Sequence, residues 1–348
     1  MESIVIARTP HSLRRTRQSS LRAVCKKIKW IAAACGLAMT MIFPVQAEGL
    51  KQPLANPYPA PEFAGIESWL NSTPLSMASL KGKVVLVDIW TYSCINCIRT
   101  LPSITQWDAA YRDKGLVIVG VHAPEFAFEK SEANVKAALA KYSIRYPVAL
   151  DNEMQTWNAF KNRYWPAHYL IDKQGRVVYK HFGEGNYDIT EHNIRFLLGL
   201  DGKAAAGQGA AATSAGQTPE TYLGTARAKN FVDSATLEKD QWTLSGMWER
   251  LPDRIVAQEA GATLRMHFSA GKVFLVLGAA DGKPVKAMLT LDGKPITSDA
   301  GRDAPHGVLT VDQHALYEIV NLNQPGERLL EIKSEAPGLE AYAFTFGR

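Results

Sequence analysis

The segment Lys83–Trp90 reads KVVLVDIW, and it constrains this chain more than any other stretch. A near-continuous, valine-rich run of that length is the pattern of a strand buried on both faces. After three intervening residues comes Cys94-Ile95-Asn96-Cys97, and from there Ile98, Leu101, Ile104, Trp107 and Tyr111 recur at helical spacing. The sequence therefore predicts a central strand that passes into a helix through a Cys-x-x-Cys pair.

The neighbouring pattern extends this unit. Leu116–Val121 reads as a second buried strand, and Ser131–Tyr142 as a helix with Ser131 as its N-cap. Ala167–Phe182 reads as a hairpin turned at Asp172-Lys173-Gln174-Gly175, and Ile189–Leu200 as a closing helix. Strands alternating with helices make an α/β layer fold. After Leu200 the composition changes. Residues 203–217 read KAAAGQGAAATSAGQ, which has no apolar period and is expected to be a linker. From Glu220 on the pattern is all-β, with expected strands at Ala262–Phe268, Val273–Leu277, Val285–Leu291, Val308–Val311, Leu316–Val320, Arg328–Ile332 and Ala341–Phe346. Turn signals at Asp281-Gly282 and Asp292-Gly293 separate some of them, which suggests a jelly-roll-like β-sandwich.

The first 47 residues differ from the rest. They hold eight Lys or Arg against one acid, a net +7, so the +5 of the whole chain leaves −2 on the other 301 residues. No basic stripe remains to suggest nucleic-acid binding. The basic stretch ends at Lys29, an apolar run follows from Trp30 to Val45, and Val45-Gln46-Ala47 offers a small-residue cleavage site. A cleavable signal peptide over residues 1–47 is expected, with an uncleaved anchor as the alternative. The apolar run is shorter than the roughly 20 residues of a membrane span. The expected division is then signal peptide 1–47, redox domain 48–200, linker 201–219 and β domain 220–348. At 46% hydrophobic and 21% charged, with mean hydropathy −0.13, the chain is neither disordered nor a multi-span membrane protein.

Removing the leader also removes Cys25 and Cys35, leaving Cys94 and Cys97. Two cysteines cannot build a four-thiolate zinc site, and no metal or other cofactor is expected. A disulfide closing so short a loop adds little stability, so the pair reads as redox-active. Unpaired N–H groups and the helix dipole favour an anion at a helix start, where Cys94 would lie as the attacking thiolate. Cys97, one turn on and more buried, would resolve the mixed disulfide. Asp88, an acid inside the apolar strand, is a candidate to exchange protons with a thiol. Pro102 would kink the helix. Pro166 precedes the strand at Ala167, where it could present backbone to a substrate. Trp90 and Trp165 are candidate substrate contacts flanking the dithiol, with core packing as the equal alternative; His122 and Glu125 are candidates to tune Cys94 or contact substrate, with a solvent-facing loop as the alternative. Trp242 and Trp248 could stack on a sugar ring, with core packing as the alternative. His168 alternates along a strand and has no assigned role.

The chain resembles the thioredoxin superfamily in its extracytoplasmic TlpA-like, or redoxin, branch. It is most similar to the soluble portion of DipZ-type thiol:disulfide interchange proteins. The segments SWLNSTPLSMASLKGKVVLVDIWTYSCINCIRTLP, GVHAPEFAFE, WPAHYLID, ETYLG and AYAFTFG carry the resemblance, over roughly residues 54–348. It implies a thioredoxin fold, dithiol–disulfide exchange outside the cytoplasm and a C-terminal carbohydrate-binding-module-like β domain. Cys94 and Cys97 match the redox pair, Asp88 the buried acid, Pro102 the helix kink and Pro166 the cis-proline. The family carries a membrane electron-transfer region where a signal peptide is expected here, so a separate membrane thiol donor of the CcdA type is the expected electron source. Ile95-Asn96 replaces the Gly-Pro of ordinary thioredoxins.

Three functions compete. The first is reduction of protein disulfides. The second is a thiol peroxidase, since Thr91-x-x-Cys94 partly matches a peroxiredoxin motif, although Val87 stands where that motif begins with proline. The third is a binding protein whose β domain docks a glycan or envelope partner.

Overall fold

The computed structural model describes residues 49–200 and 216–347. The expected signal peptide, and residues 201–215 of the expected linker, lie outside the described residues.

The first sheet is built from β1 (Tyr58–Pro59), β2 (Ser68–Leu70), β3 (Val84–Trp90), β4 (Leu116–His122), β5 (Val148–Leu150), β6 (Ala167–Ile171) and β7 (Arg176–Phe182). Its helices are α1 (Ile95–Tyr111), α2 (Glu132–Lys141), α3 (Gln155–Ala159) and α4 (Tyr187–Leu198). The strand order is β1-β7-β6-β3-β4-β5-β2, which puts β3 at the centre. β3 runs parallel to β4 and antiparallel to β6. Every residue of β3 is buried because both faces are covered. Val84, Leu86 and Trp90 pack with Leu101, Ile104 and Trp107 of α1. Val85, Val87 and Ile89 face the opposite way, toward Trp157, Phe160 and Tyr169. This alternation sends Asp88 to the α1 face.

Local chemistry sets the element ends. Ser131 caps α2 as expected, its hydroxyl accepting the Asn134 N–H at 3.4 Å. In the β6–β7 turn, Asp172 accepts the N–H groups of Gln174 and Arg176 at 3.0 and 2.9 Å, and Gly175 supplies the positive φ of 82° that closes it. Pro102 lies inside α1, which continues without interruption to Tyr111.

The second sheet is all antiparallel. Its strands are β8 (Thr221–Tyr222), β9 (Trp242–Ser245), β10 (Trp248–Arg250), β11 (Ile255–Ala257), β12 (Thr263–Ala279), β13 (Val285–Leu291), β14 (Lys294–Pro295), β15 (Val308–Val311), β16 (Ala315–Ser334) and β17 (Leu339–Gly347). The main order is β10-β11-β17-β12-β16-β13-β14, with β8, β9 and β15 added to β17, β12 and β13. The sequence predicts two strands within β12 and two within β16; the structure joins each pair into one. Ala270-Gly271-Lys272 interrupts the apolar pattern but not the ladder, because register shifts there and at Val273/Phe274 bend β12 while pairing continues. One half of β12 pairs with β9, the other with β17. The bent sheet closes over Leu264, Met266, Phe268, Leu275, Ile332 and Phe344. Both sheets belong to one compact unit.

Candidate redox site

β3 ends at Trp90, and Thr91-Tyr92-Ser93 leads to Cys94, the N-cap of α1. The Cys94 sulfur accepts the Cys97 N–H at 3.3 Å, in the place that a serine or aspartate oxygen takes in ordinary helix caps. Both cysteines are free thiols, Cys94 partly exposed and Cys97 fully buried. Burial pushes the Cys97 thiol well above its ordinary value, and its hydrogen bond with Cys94 and the charges of Cys94 and Asp88 push the same way. The two sulfurs are thus inequivalent, one at the surface of a helix start and one held protonated beneath it.

Asp88 is fully buried, and β3 pairs it directly with His168 of β6. His168 Nε2 lies 3.2 Å from Asp88 Oδ1, but the orientation is wrong for a hydrogen bond, and neither carboxylate oxygen has another partner. The His168 ring is 6.1 Å from the ring of His181, which lies opposite it on β7. Half-buried His181 in turn meets the Glu184 carbonyl at 3.1 Å. Sequence reasoning passed over His168, because strand alternation says which face a residue takes and not which residue lies across from it.

The Trp165–Pro166 peptide bond is cis. Ala167 pairs with Ile89, so Pro166 sits beside Trp90, at the end of β3 from which the chain runs to Cys94. Half-buried Trp165 donates its indole N–H to the Ala123 carbonyl at 2.9 Å and lies tilted against Trp157, ring centroids 4.2 Å apart.

Two expected substrate contacts are corrected. Trp90 and His122 are fully buried and paired across β3 and β4, so neither offers an atom to a partner molecule. Trp90 shares the face of Val84 and Leu86 beneath α1, and His122 packs edge-on against it at 5.3 Å and stacks on Tyr92 at 5.7 Å. Burial lowers the His122 pKa to about 3. Trp242 is also core, its N–H bonded to the Lys229 carbonyl at 2.8 Å, so it is no sugar platform. Among the described residues, no group of three or more His, Cys, Asp or Glu could hold a metal ion.

Glu129 belongs to the site although no sequence argument singled it out. Its carboxylate is fully buried and accepts the Ser93 hydroxyl at 2.5 Å, the Ser93 N–H at 3.4 Å, and the N–H groups of Glu125 and Phe126 at 2.6 and 2.9 Å. Burial raises its pKa, and bonds from Ser93, Thr91 and Phe126 oppose that rise. The available signal was an acid closing the apolar run Phe126-Ala127-Phe128.

A Cys-x-x-Cys pair between a central buried strand and a helix defines a dithiol protein of the thioredoxin type. A family model described as "Redoxin" matches residues 56–198, and one described as "Thioredoxin like C-terminal domain" matches residues 218–347. The chain is 31% identical over 140 residues to thiol-disulfide oxidoreductase YkuV of Bacillus subtilis, covering 40% of this chain and 94% of that protein. It is 30% identical over 132 residues to thiol-disulfide oxidoreductase ResA of Bacillus cereus, covering 38% and 72%. Protein DipZ of Mycobacterium tuberculosis is 36% identical over 319 residues, 83% of this chain and 43% of DipZ. The chain thus spans less than half the length of that relative. It belongs to the redoxin-like thiol-disulfide oxidoreductase family of the thioredoxin superfamily. Among the described residues, no helix is long and apolar enough to cross a membrane.

Proposed function

We propose that this protein is an extracytoplasmic thiol-disulfide oxidoreductase that reduces disulfide bonds in other proteins through Cys94 and Cys97. The observation that carries the reading is the inequivalence of the two thiols, with Cys94 capping α1 at the surface and Cys97 buried behind it. The Cys94 thiolate attacks one sulfur of a client disulfide. A Cys94–client disulfide forms, and the other client sulfur leaves as a thiolate that takes up a proton. Cys97 then loses its proton and attacks the Cys94 sulfur, which releases the second client thiol and leaves a Cys94–Cys97 disulfide. Asp88 is the acceptor for the Cys97 proton, since its charge already acts on that thiol. Pro166 lines the approach to Cys94. Two electrons from a membrane thiol donor of the CcdA type restore the dithiol. The extracytoplasmic setting rests on the leader sequence and on the likeness to DipZ.

The peroxidase reading is less well supported, because Thr91 is fully buried and its hydroxyl faces His122 at 3.4 Å rather than an incoming oxidant. Cys97→Ala should accumulate mixed disulfides through Cys94 when mixed with oxidised envelope extract, and a further Cys94→Ser change should abolish them. Absence of any trapped client would overturn the reductase reading.

A further inference from the structure

The β domain is packed into the redox site. Ile95 and Ile98, in the first turn of α1, lie in one apolar cluster with Phe274, Val276, Leu316 and Tyr342 of the β sheet. The sequence pattern groups Ile98 with the helix core, but its partners are across the domain boundary. Tyr342 reaches this cluster through a bulge, since Val276 pairs with Ala343 and Leu277 with Ala341, leaving Tyr342 as the extra residue. Its ring lies 5.1 Å from Phe126 and 4.9 Å from Phe128, and Phe128 also stacks on His314 at 4.9 Å.

The segment held there is the one that carries Glu129. Glu125 accepts hydrogen bonds at 2.7 Å from both the Tyr222 hydroxyl and the Arg227 guanidinium, two residues of the β domain. The Glu125 N–H, in turn, is bound by the Glu129 carboxylate, which also holds Ser93 beside the nucleophile. Charge-assisted hydrogen bonds, joined through the covalent frame of Glu125, therefore link Arg227 to Glu129 and Ser93. Such bonds are the stronger class, and a buried carboxylate with several donors is costly to disturb.

We infer that Glu129 is the positioning residue of Cys94, and that the β domain sets the geometry and reactivity of the nucleophile by holding Glu129 in place. Glu129 acts through Ser93 and Thr91, fixing the backbone that presents Cys94 at the helix start. On this view, which rests on the dithiol reading, the β domain has an internal task independent of any glycan.

The test uses the reduced full-length chain, with iodoacetamide alkylation of Cys94 followed by mass spectrometry of its peptide. Glu129→Gln should slow alkylation at neutral pH by about fivefold or more, the lower range of energetic coupling between linked sites. The β-domain double variant Tyr222→Phe/Arg227→Ala should slow it in the same direction, and its effect should be non-additive with Glu129→Gln. If Glu129→Gln does not fold, Ser93→Ala, which deletes the 2.5 Å bond alone, takes its place with the same expected direction. Rates within twofold of the parent for these variants, or strictly additive effects, overturn the inference. Failure of the dithiol reading itself is separately visible, because the parent chain would then fail to reduce insulin disulfides.

Discussion

Asp88 should be a residue whose removal makes the protein more stable and less active. It sits in a strand with no exposed residue, neither carboxylate oxygen is hydrogen-bonded, and His168 approaches at 3.2 Å in poor geometry. An unsatisfied buried polar group costs about 1–3 kcal/mol, and an ionised one more. Valine nearly matches aspartate in size and suits a central strand, so Asp88→Val removes the penalty without opening a cavity. The expected gain is about 1–3 kcal/mol. For a compact unit of about 300 residues, each kcal/mol raises Tm by about 2 °C or less. Urea and thermal unfolding of the reduced protein measure the gain. Stopped-flow release of client thiol from a preformed Cys94 mixed disulfide measures the loss, expected to be about a hundredfold or more, the lower range of general-base contributions. A destabilised Asp88→Val protein would refute the argument, since the carboxylate would then be satisfied by something in the fold. An unchanged release rate would remove Asp88 from the proton transfer.

His122 should titrate near pH 3 rather than 6.5, so its imidazole signals should stay in the neutral form from pH 8 to pH 5 in NMR. The linkage has a definite sign. The unfolded state takes up a proton below pH 6.5 and the folded state does not until about 3, so stability from this group is complete above 6.5 and lost as pH falls across that window, by about 1.4 kcal/mol per unit. His122→Phe should flatten the slope in pH-dependent urea unfolding; an unchanged slope would count against a buried neutral imidazole. Cys97 should resist iodoacetamide at neutral pH while Cys94 reacts, because burial and the neighbouring sulfur keep it protonated. Equal labelling of the two peptides would contradict the proposed division of roles. Tyr342→Ala, which empties the centre of the aromatic cluster between the domains, should destabilise the reduced protein by about 3 kcal/mol in urea unfolding.

The elements with strong local signals were readable from residues alone. The all-apolar β3, the helical period of α1, the Ser131 cap and the Asp172–Gly175 turn each depend on neighbours within a few positions. What escaped depends on pairing at a distance. β2 and β5 are three residues each, too short to show a period. β12 and β16 looked divided because small and polar residues sit where the strands bend, and only the partner strands show that the ladder continues through the bulges. Trp90 and His122 looked like surface groups because they end strands near the dithiol. Their burial follows from helices packed over that end of the sheet, which no local pattern reports.

The two acids that flank the dithiol show the same boundary at the level of chemistry. Asp88 was visible because a charge inside an apolar strand is anomalous by itself. Glu129 was not, because an acid closing a short apolar run is not anomalous by itself, and the donors that hold it come from Ser93, Glu125 and Phe126. Both carboxylates end fully buried, yet their surroundings differ. Glu129 is met by donors from Ser93, Glu125 and Phe126, whereas Asp88 is met by none in good geometry. A carboxylate saturated with donors is locked in place and suited to holding backbone. A carboxylate left without a hydrogen-bond donor is the one proposed above to take the Cys97 proton. In the proposed mechanism, environment rather than residue type separates positioning from proton transfer, and that environment is assembled from strand register and a domain interface rather than from any motif.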